Sequence, residues 1–285
     1  MKEYDKTVKP DECFLLTVYI SRKLAYPVTL LCRRMGLSAS FVTVLGGMLW
    51  VVSVPAILLA GWSFQNGDAT GGWTMLLLSA LLWNAGCILD VVDGSLARLT
   101  GASSLAGAYL DFFFHLLFIP MYLASIGAFL YLVSGSIAYL VLAILSVGCN
   151  WGVSIASKDH ILCVEVAGNE GALSGLSADE RYQVFIDSVK TRNEAACKRV
   201  TPLRTVRYLV EELICFPGQY ALLGLLVLGD LLLWPAWQFP LLKIAFCTIT
   251  VVMSLRVPFR LAREYGIVQR YERLSRNDST RPAGN

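Results

Sequence analysis

The chain runs to 285 residues, of which 56% are hydrophobic and only 16% charged, with a mean hydropathy of +0.59. That balance excludes a water-soluble domain of this length, and a net charge of +3 gives no reason to expect a nucleic-acid partner. The composition is that of an all-α integral membrane protein.

Residues 1–38 are mixed and charged, without the basic stretch, apolar core and small-residue site of a cleavable signal peptide. Within them, Glu12 to Arg34 combines Phe14, Leu15, Leu16, Val18 and Ile20 with Arg22, Lys23, Arg33 and Arg34. This predicts an amphipathic helix lying in the membrane interface and interrupted at Pro27. The alternative is a plain approach to the first span. Nearly uncharged stretches of about the 20 residues that a bilayer core demands follow near 39–61, 72–89, 112–133, 136–157, 213–234 and 237–255. They predict six transmembrane helices in a domain over 39–263, with an insertion at 158–204 between the fourth and fifth spans. In the insertion, Ser177 with Glu180 has capping-box spacing, and Tyr182, Phe185, Ile186 and Val189 make an apolar stripe that ends at Thr201 and Pro202. The tail at 264–285 is expected to lack fixed structure after Arg270, being short and charged.

Charge orients the spans. With both termini in the cytosol, the outer loops around 62–71, 134–136 and 230–238 hold no Lys or Arg. Lys2 to Arg34, Arg98, Lys158 to Arg207 and Arg256 to Arg281 then all fall inside. Lys243 is the exception, near the outer end of the last span, where its long side chain can snorkel to the interface. The eight cysteines form no CxxC pair, and none falls in an outer loop, so neither disulfides nor a thiolate metal site is expected.

Acidic residues interrupt this apolar pattern in one place. Asp90 and Asp93 are one helical turn apart, and so are Asp111 and His115, so each pair projects from one helix face. Two such helices side by side make a carboxylate cluster. Ionisable groups at membrane depth pair, line a cavity or hold a cation, and three converging carboxylates, Asp90, Asp93 and Asp111, ask for a divalent metal, Mg²⁺ or Mn²⁺.

The run Asp90, Asp93, Gly94, Ala97, Arg98, Gly107, Asp111 resembles the signature of the CDP-alcohol phosphotransferases, membrane enzymes that move a phospho-group from a CDP-activated donor to an alcohol. The charge pattern puts these residues at the cytosolic ends of the second and third spans, the side where CDP-linked donors are made, in a multi-pass protein expected in a bacterial inner (plasma) membrane. The resemblance implies a donor such as CDP-diacylglycerol, an alcohol acceptor, membrane lipids as surroundings and a homodimer. Asp90, Asp93 and Asp111 would hold one or two Mg²⁺ or Mn²⁺ ions on the diphosphate. Gly94, Ala97 and Gly107 would let the nucleotide approach the backbones, or let the helices pack closely. Arg98 would take a phosphate or anchor its helix. The family's last aspartate is His115 here, so this site carries one formal negative charge fewer. His115 can be the general base with Asp111, a metal ligand, or inert in a noncatalytic relative. A weaker echo lies at Ala39, Ser40 and Thr43, where the family often has Pro-Asn followed by threonine. Two other classes also fit buried acids. Prenyltransferases use two aspartate-rich motifs where this chain has one, and transporters place their sites near the midplane.

Overall fold

The computed structural model describes residues 4, 7, 16–102, 105–150, 177, 209, 212–213, 218–233 and 238–279, and every regular element among them is helical. A π-helical turn, Thr17–Ser21, leads into α1 (Arg22–Arg34). Then come α2 (Ala39–Gln65), α3 (Ala69–Thr100), α4 (Leu105–Ser134), α5 (Ala138–Asn150), α6 (Gly218–Leu233) and α7 (Pro240–Ser279).

Four helical stretches are long and apolar enough to cross a membrane: Ala39–Gln65, Ala69–Thr100, Tyr109–Ser134 and Pro240–Phe259. The fourth and fifth expected spans correspond to shorter apolar helices, Ala138–Asn150 and Ala221–Leu233. Residues 151–157, the end of the fourth, and the expected helix after Ser177 lie outside the described residues.

Local chemistry sets the helix boundaries. Ser38 Oγ accepts from Phe41 N at 3.2 Å to start α2, and Asp68 Oδ1 accepts from Gly71 N at 2.9 Å to start α3, caps worth about 1 kcal/mol each. Gly101 ends α3 at φ 67°, a left-handed conformation that a side chain would strain.

The core of the bundle is α2 against α3, with α4 across α2. Small residues bring α2 and α3 together. A Cβ on Gly86 would collide with the Trp50 indole nitrogen, and one on Gly46 would lie 3.3 Å from Leu89 Cβ. Trp50 stacks on Trp83 at 5.2 Å and Trp83 on Tyr122 at 4.0 Å, which fills the middle of the bundle with rings. Two polar ties cross the same seam, Trp50 Nε1 to the Trp83 carbonyl at 3.2 Å and Ser79 Oγ to the Ser53 carbonyl at 2.7 Å. Each is worth roughly 0.6–2 kcal/mol in an apolar surrounding.

Two expectations need correction. Pro27 does not interrupt α1, because the helix runs through it from Arg22 to Arg34. The proline removes one backbone donor, and the helix is held instead by burying Ala25 and Cys32 against Val42, Val92 and Leu96 of α2 and α3. The tail does not lose structure after Arg270, since α7 continues to Ser279. Residues such as Glu, Arg and Leu propagate a helix easily once a membrane span has nucleated it.

Candidate metal centre

The length of α3 sets the depth of the site. Residues 69–89 extend about 30 Å at 1.5 Å per residue, the thickness of a bilayer's hydrocarbon, so Asp90 begins where the apolar slab ends. The first turns of α4 bring Asp111 and His115 to the same end, and the first turns of α2 bring Thr43 there.

His115 is the hub. Its Nδ1 lies 2.8 Å from the Asp111 carbonyl oxygen and 3.0 Å from Asp111 Oδ1, and its Nε2 lies 3.3 Å from Asp90 Oδ1. One ligand atom each from Asp90, Asp111 and His115 falls within 4.8 Å of the others. The Trp50 ring packs edge-on to the imidazole at 5.6 Å and limits its rotation. Asp93 stands beside this trio. It is 7% exposed, and its Oδ2 takes the Thr43 hydroxyl at 2.5 Å, a short charge-assisted bond. Asp90, Asp93 and Asp111 line one small cavity of about 10 Å³ with Thr43, Trp50, Phe114 and the glycines Gly46, Gly47 and Gly86.

The donor set fits a divalent cation. Two like charges within 4.8 Å repel by roughly 3 kcal/mol or more at an effective dielectric near 20, and a dication reverses that sign. The cavity is about large enough for one small ion or water.

The remaining signature residues fall around this centre. Arg98 donates from Nε and Nη2 to the Thr7 carbonyl at 3.1 and 2.7 Å, and Arg22 Nη1 reaches the same oxygen at 3.0 Å. In this structure the Arg98 guanidinium thus secures the N-terminal turn. It lies over Gly94, where a Cβ would be 3.3 Å from Nη1, so the glycine makes room for the arginine. Ala97 ends α3 by accepting from Gly101 N and Ala102 N, and Gly107 lies half-buried in the first turn of α4. Of the basic residues expected on the cytosolic side, Lys158, Arg204 and Arg207 lie outside the described residues, whereas Arg256 is on α7.

Sequence reasoning missed Trp50, Phe114 and the cavity glycines. The Gly46–Gly47 pair, with Gly86 one turn before Asp90, was the available signal, because adjacent small residues in a span mark close helix approach. A second cavity, of about 240 Å³ and almost wholly apolar, opens between the N-terminal helix, α3 and α6, bordered by Leu24, Cys87, Ile88 and Leu222.

Residues 36–160 match the family model described as CDP-alcohol phosphatidyltransferase, a segment that contains Asp90, Asp93, Asp111 and His115. No curated protein and no solved structure matches the chain.

Proposed function

We propose, from the match of residues 36–160 to the CDP-alcohol phosphatidyltransferase family model, a membrane enzyme that moves a phosphatidyl or related phospho-group from a CDP-linked lipid to an alcohol, releasing CMP. The observation that carries this reading is the convergence of Asp90, Asp111 and His115 within 4.8 Å at the edge of the apolar slab, with Asp93 in the same cavity.

A divalent cation held by Asp90, Asp93 and Asp111 would neutralise the diphosphate charge that builds toward the leaving CMP. The chain's own groups supply the rest. Thr43 fixes Asp93 through its hydroxyl, so that carboxylate does not swing away from the cavity. Asp111, braced by His115, is the destination for the acceptor's proton. Asp111 is 45% exposed at its side chain, against 18% for Asp90, so an alcohol arriving from the surface meets it first. The Nδ1–H of His115 steadies that carboxylate at 3.0 Å. Gly46, Gly47 and Gly86 keep the floor of the cavity narrow and exclude bulk water. The apolar cavity beside Cys87 and Ile88 lies within reach of an acyl chain whose headgroup sits at the acids.

The acids sit at the end of the bundle that carries Arg22, Arg33, Arg34 and Arg98, which supports a cytosolic active site by the positive-inside rule. Labelling of intact cells from outside should then reach a cysteine placed at Asn66 but not one placed at Thr100, and the reverse would move the site to the other face. Transfer of radiolabel from CDP-diacylglycerol to a panel of alcohols, in membranes containing the chain, tests the activity itself. A labelled phosphatidyl product with one acceptor is expected. Failure with every donor and acceptor would favour a noncatalytic relative.

A further inference from the structure

The two nitrogens of His115 meet different neighbours. Nδ1 faces the Asp111 carbonyl oxygen at 2.8 Å and Asp111 Oδ1 at 3.0 Å. A carbonyl and an ionised carboxylate only accept, so Nδ1 carries a ring proton, and Nε2 is the nitrogen that either holds a second proton or binds an ion. Nε2 lies 3.3 Å from Asp90 Oδ1, a second acceptor. Something positive has to lie between these two atoms, a proton on Nε2 or a cation that takes its place. The spacing suits a shared ion, because two ligands about 2.1–2.2 Å from a metal and at right angles to each other are roughly 3 Å apart. A ring whose other nitrogen donates to a backbone carbonyl is also the arrangement that orients ligating histidines and holds their tautomer. Asp93 is placed differently, with Oδ2 occupied by the Thr43 hydroxyl.

We infer that the cation of this site is bound through nitrogen, by His115 Nε2 together with the Asp90 and Asp111 carboxylates, and that the site therefore favours Mn²⁺ over Mg²⁺. The inference rests on reading the cluster as a divalent-cation centre. Its physical basis is ligand softness. Mg²⁺ is a hard ion that prefers oxygen and gives up its water reluctantly, whereas first-row transition ions accept imidazole readily. An aspartate at this position would make an all-oxygen site; the histidine makes a mixed one.

The test uses the purified full chain loaded with Mn²⁺ and pulsed electron paramagnetic resonance, which detects a ¹⁴N nucleus bonded directly to the ion. The wild type should show that coupling, and His115→Asp and His115→Ala should both lose it. His160→Ala, which removes the chain's other histidine, should keep it. Competition should show Mn²⁺ binding at least roughly tenfold tighter than Mg²⁺ in the wild type, with the preference narrowed in His115→Asp. Mn²⁺ bound without a nitrogen, a coupling that survives His115→Asp, or no Mn²⁺ bound at all would each overturn the assignment. The resonance needs no substrate, so it separates the two readings. Nitrogen coupling without transfer from any CDP donor would retire the proposed activity and keep the ligand, and transfer without nitrogen coupling would do the reverse.

Discussion

Carboxylates at the two ends of the bundle do different work. At the end away from the site, Asp230 is 1% exposed, and its two oxygens accept from Leu241 N at 3.0 Å and Leu242 N at 2.9 Å, closing the start of α7. Asp68 closes the start of α3 in the same way. Nearer the site, the fully buried Glu212 does the same, taking Leu16 N, Thr17 N and the Thr17 hydroxyl at the N-terminal turn. Each of these acids is aimed at backbone donors that have no partner inside their own helix, so the negative charge meets the positive end of a helix dipole. At the other end, Asp90 and Asp111 are aimed at one imidazole and at each other, and Asp93 at a hydroxyl beside them. Burial alone therefore does not single out the candidate site in this molecule, whereas convergence does.

The largest expected effect separates the two groups. Asp90→Asn, Asp93→Asn and Asp111→Asn should each lower turnover by about 10³ or more at saturating Mg²⁺ or Mn²⁺, since a lost ligand charge is worth several kcal/mol in the transition state. Asp230→Asn should leave turnover of the folded protein within about twofold and cost roughly 1–3 kcal/mol of stability through the weakened cap. Steady-state CMP release with thermal unfolding in detergent reads both quantities, and wild-type turnover in all three site variants would erase the distinction.

Next in size is the imidazole. His115→Ala should cost about 10²–10⁴ in turnover, the range for a positioned proton-handling or ligating group, and His115→Asp should recover part of it by rebuilding an all-carboxylate site. Full activity in the Ala variant would reduce His115 to a bystander. Thr43→Val keeps the shape and removes the hydroxyl from Asp93, leaving a buried carboxylate short of a donor at a cost of roughly 1–3 kcal/mol, read as a weaker metal dependence together with a lower melting temperature. The smallest effect belongs to packing. Gly86→Ala would push a methyl group into the Trp50 indole and should destabilise the fold by about 1–3 kcal/mol, because the seam between α2 and α3 has no slack there.

Much of this was legible in the sequence, for definite reasons. The 3–4-residue spacing of Asp90 with Asp93 and of Asp111 with His115 fixes which side chains share a helix face, so their meeting needed only two adjacent helices. The spans at Ala39–Gln65, Ala69–Thr100, Tyr109–Ser134 and Pro240–Phe259 follow from continuous apolarity. Contacts across helices were not legible. Nothing in the spacing says that Thr43, 50 residues earlier, would hold Asp93, or that Trp50 would brace His115, because both depend on the rotation of α2 against α3 and α4. Pro27 misled because a proline stops a helix only when no tertiary contact offsets the lost bond, and Ala25 and Cys32 supply such contacts. The charged end of α7 misled because charge content was read as disorder although its residues are good helix formers.

The most direct measurement of the central claim is alcohol-dependent CMP release from CDP-diacylglycerol, recorded in parallel for the wild type, Asp90→Asn and Asp230→Asn, first stripped of metal with chelator and then resupplied with Mg²⁺ or Mn²⁺. A converging, metal-holding cluster at one end of the bundle and helix-capping acids at the other predict that chelation silences the wild type and Asp230→Asn reversibly, while Asp90→Asn stays silent under every condition. Activity that survives chelation in the wild type, or that Asp90→Asn retains in full, would contradict it.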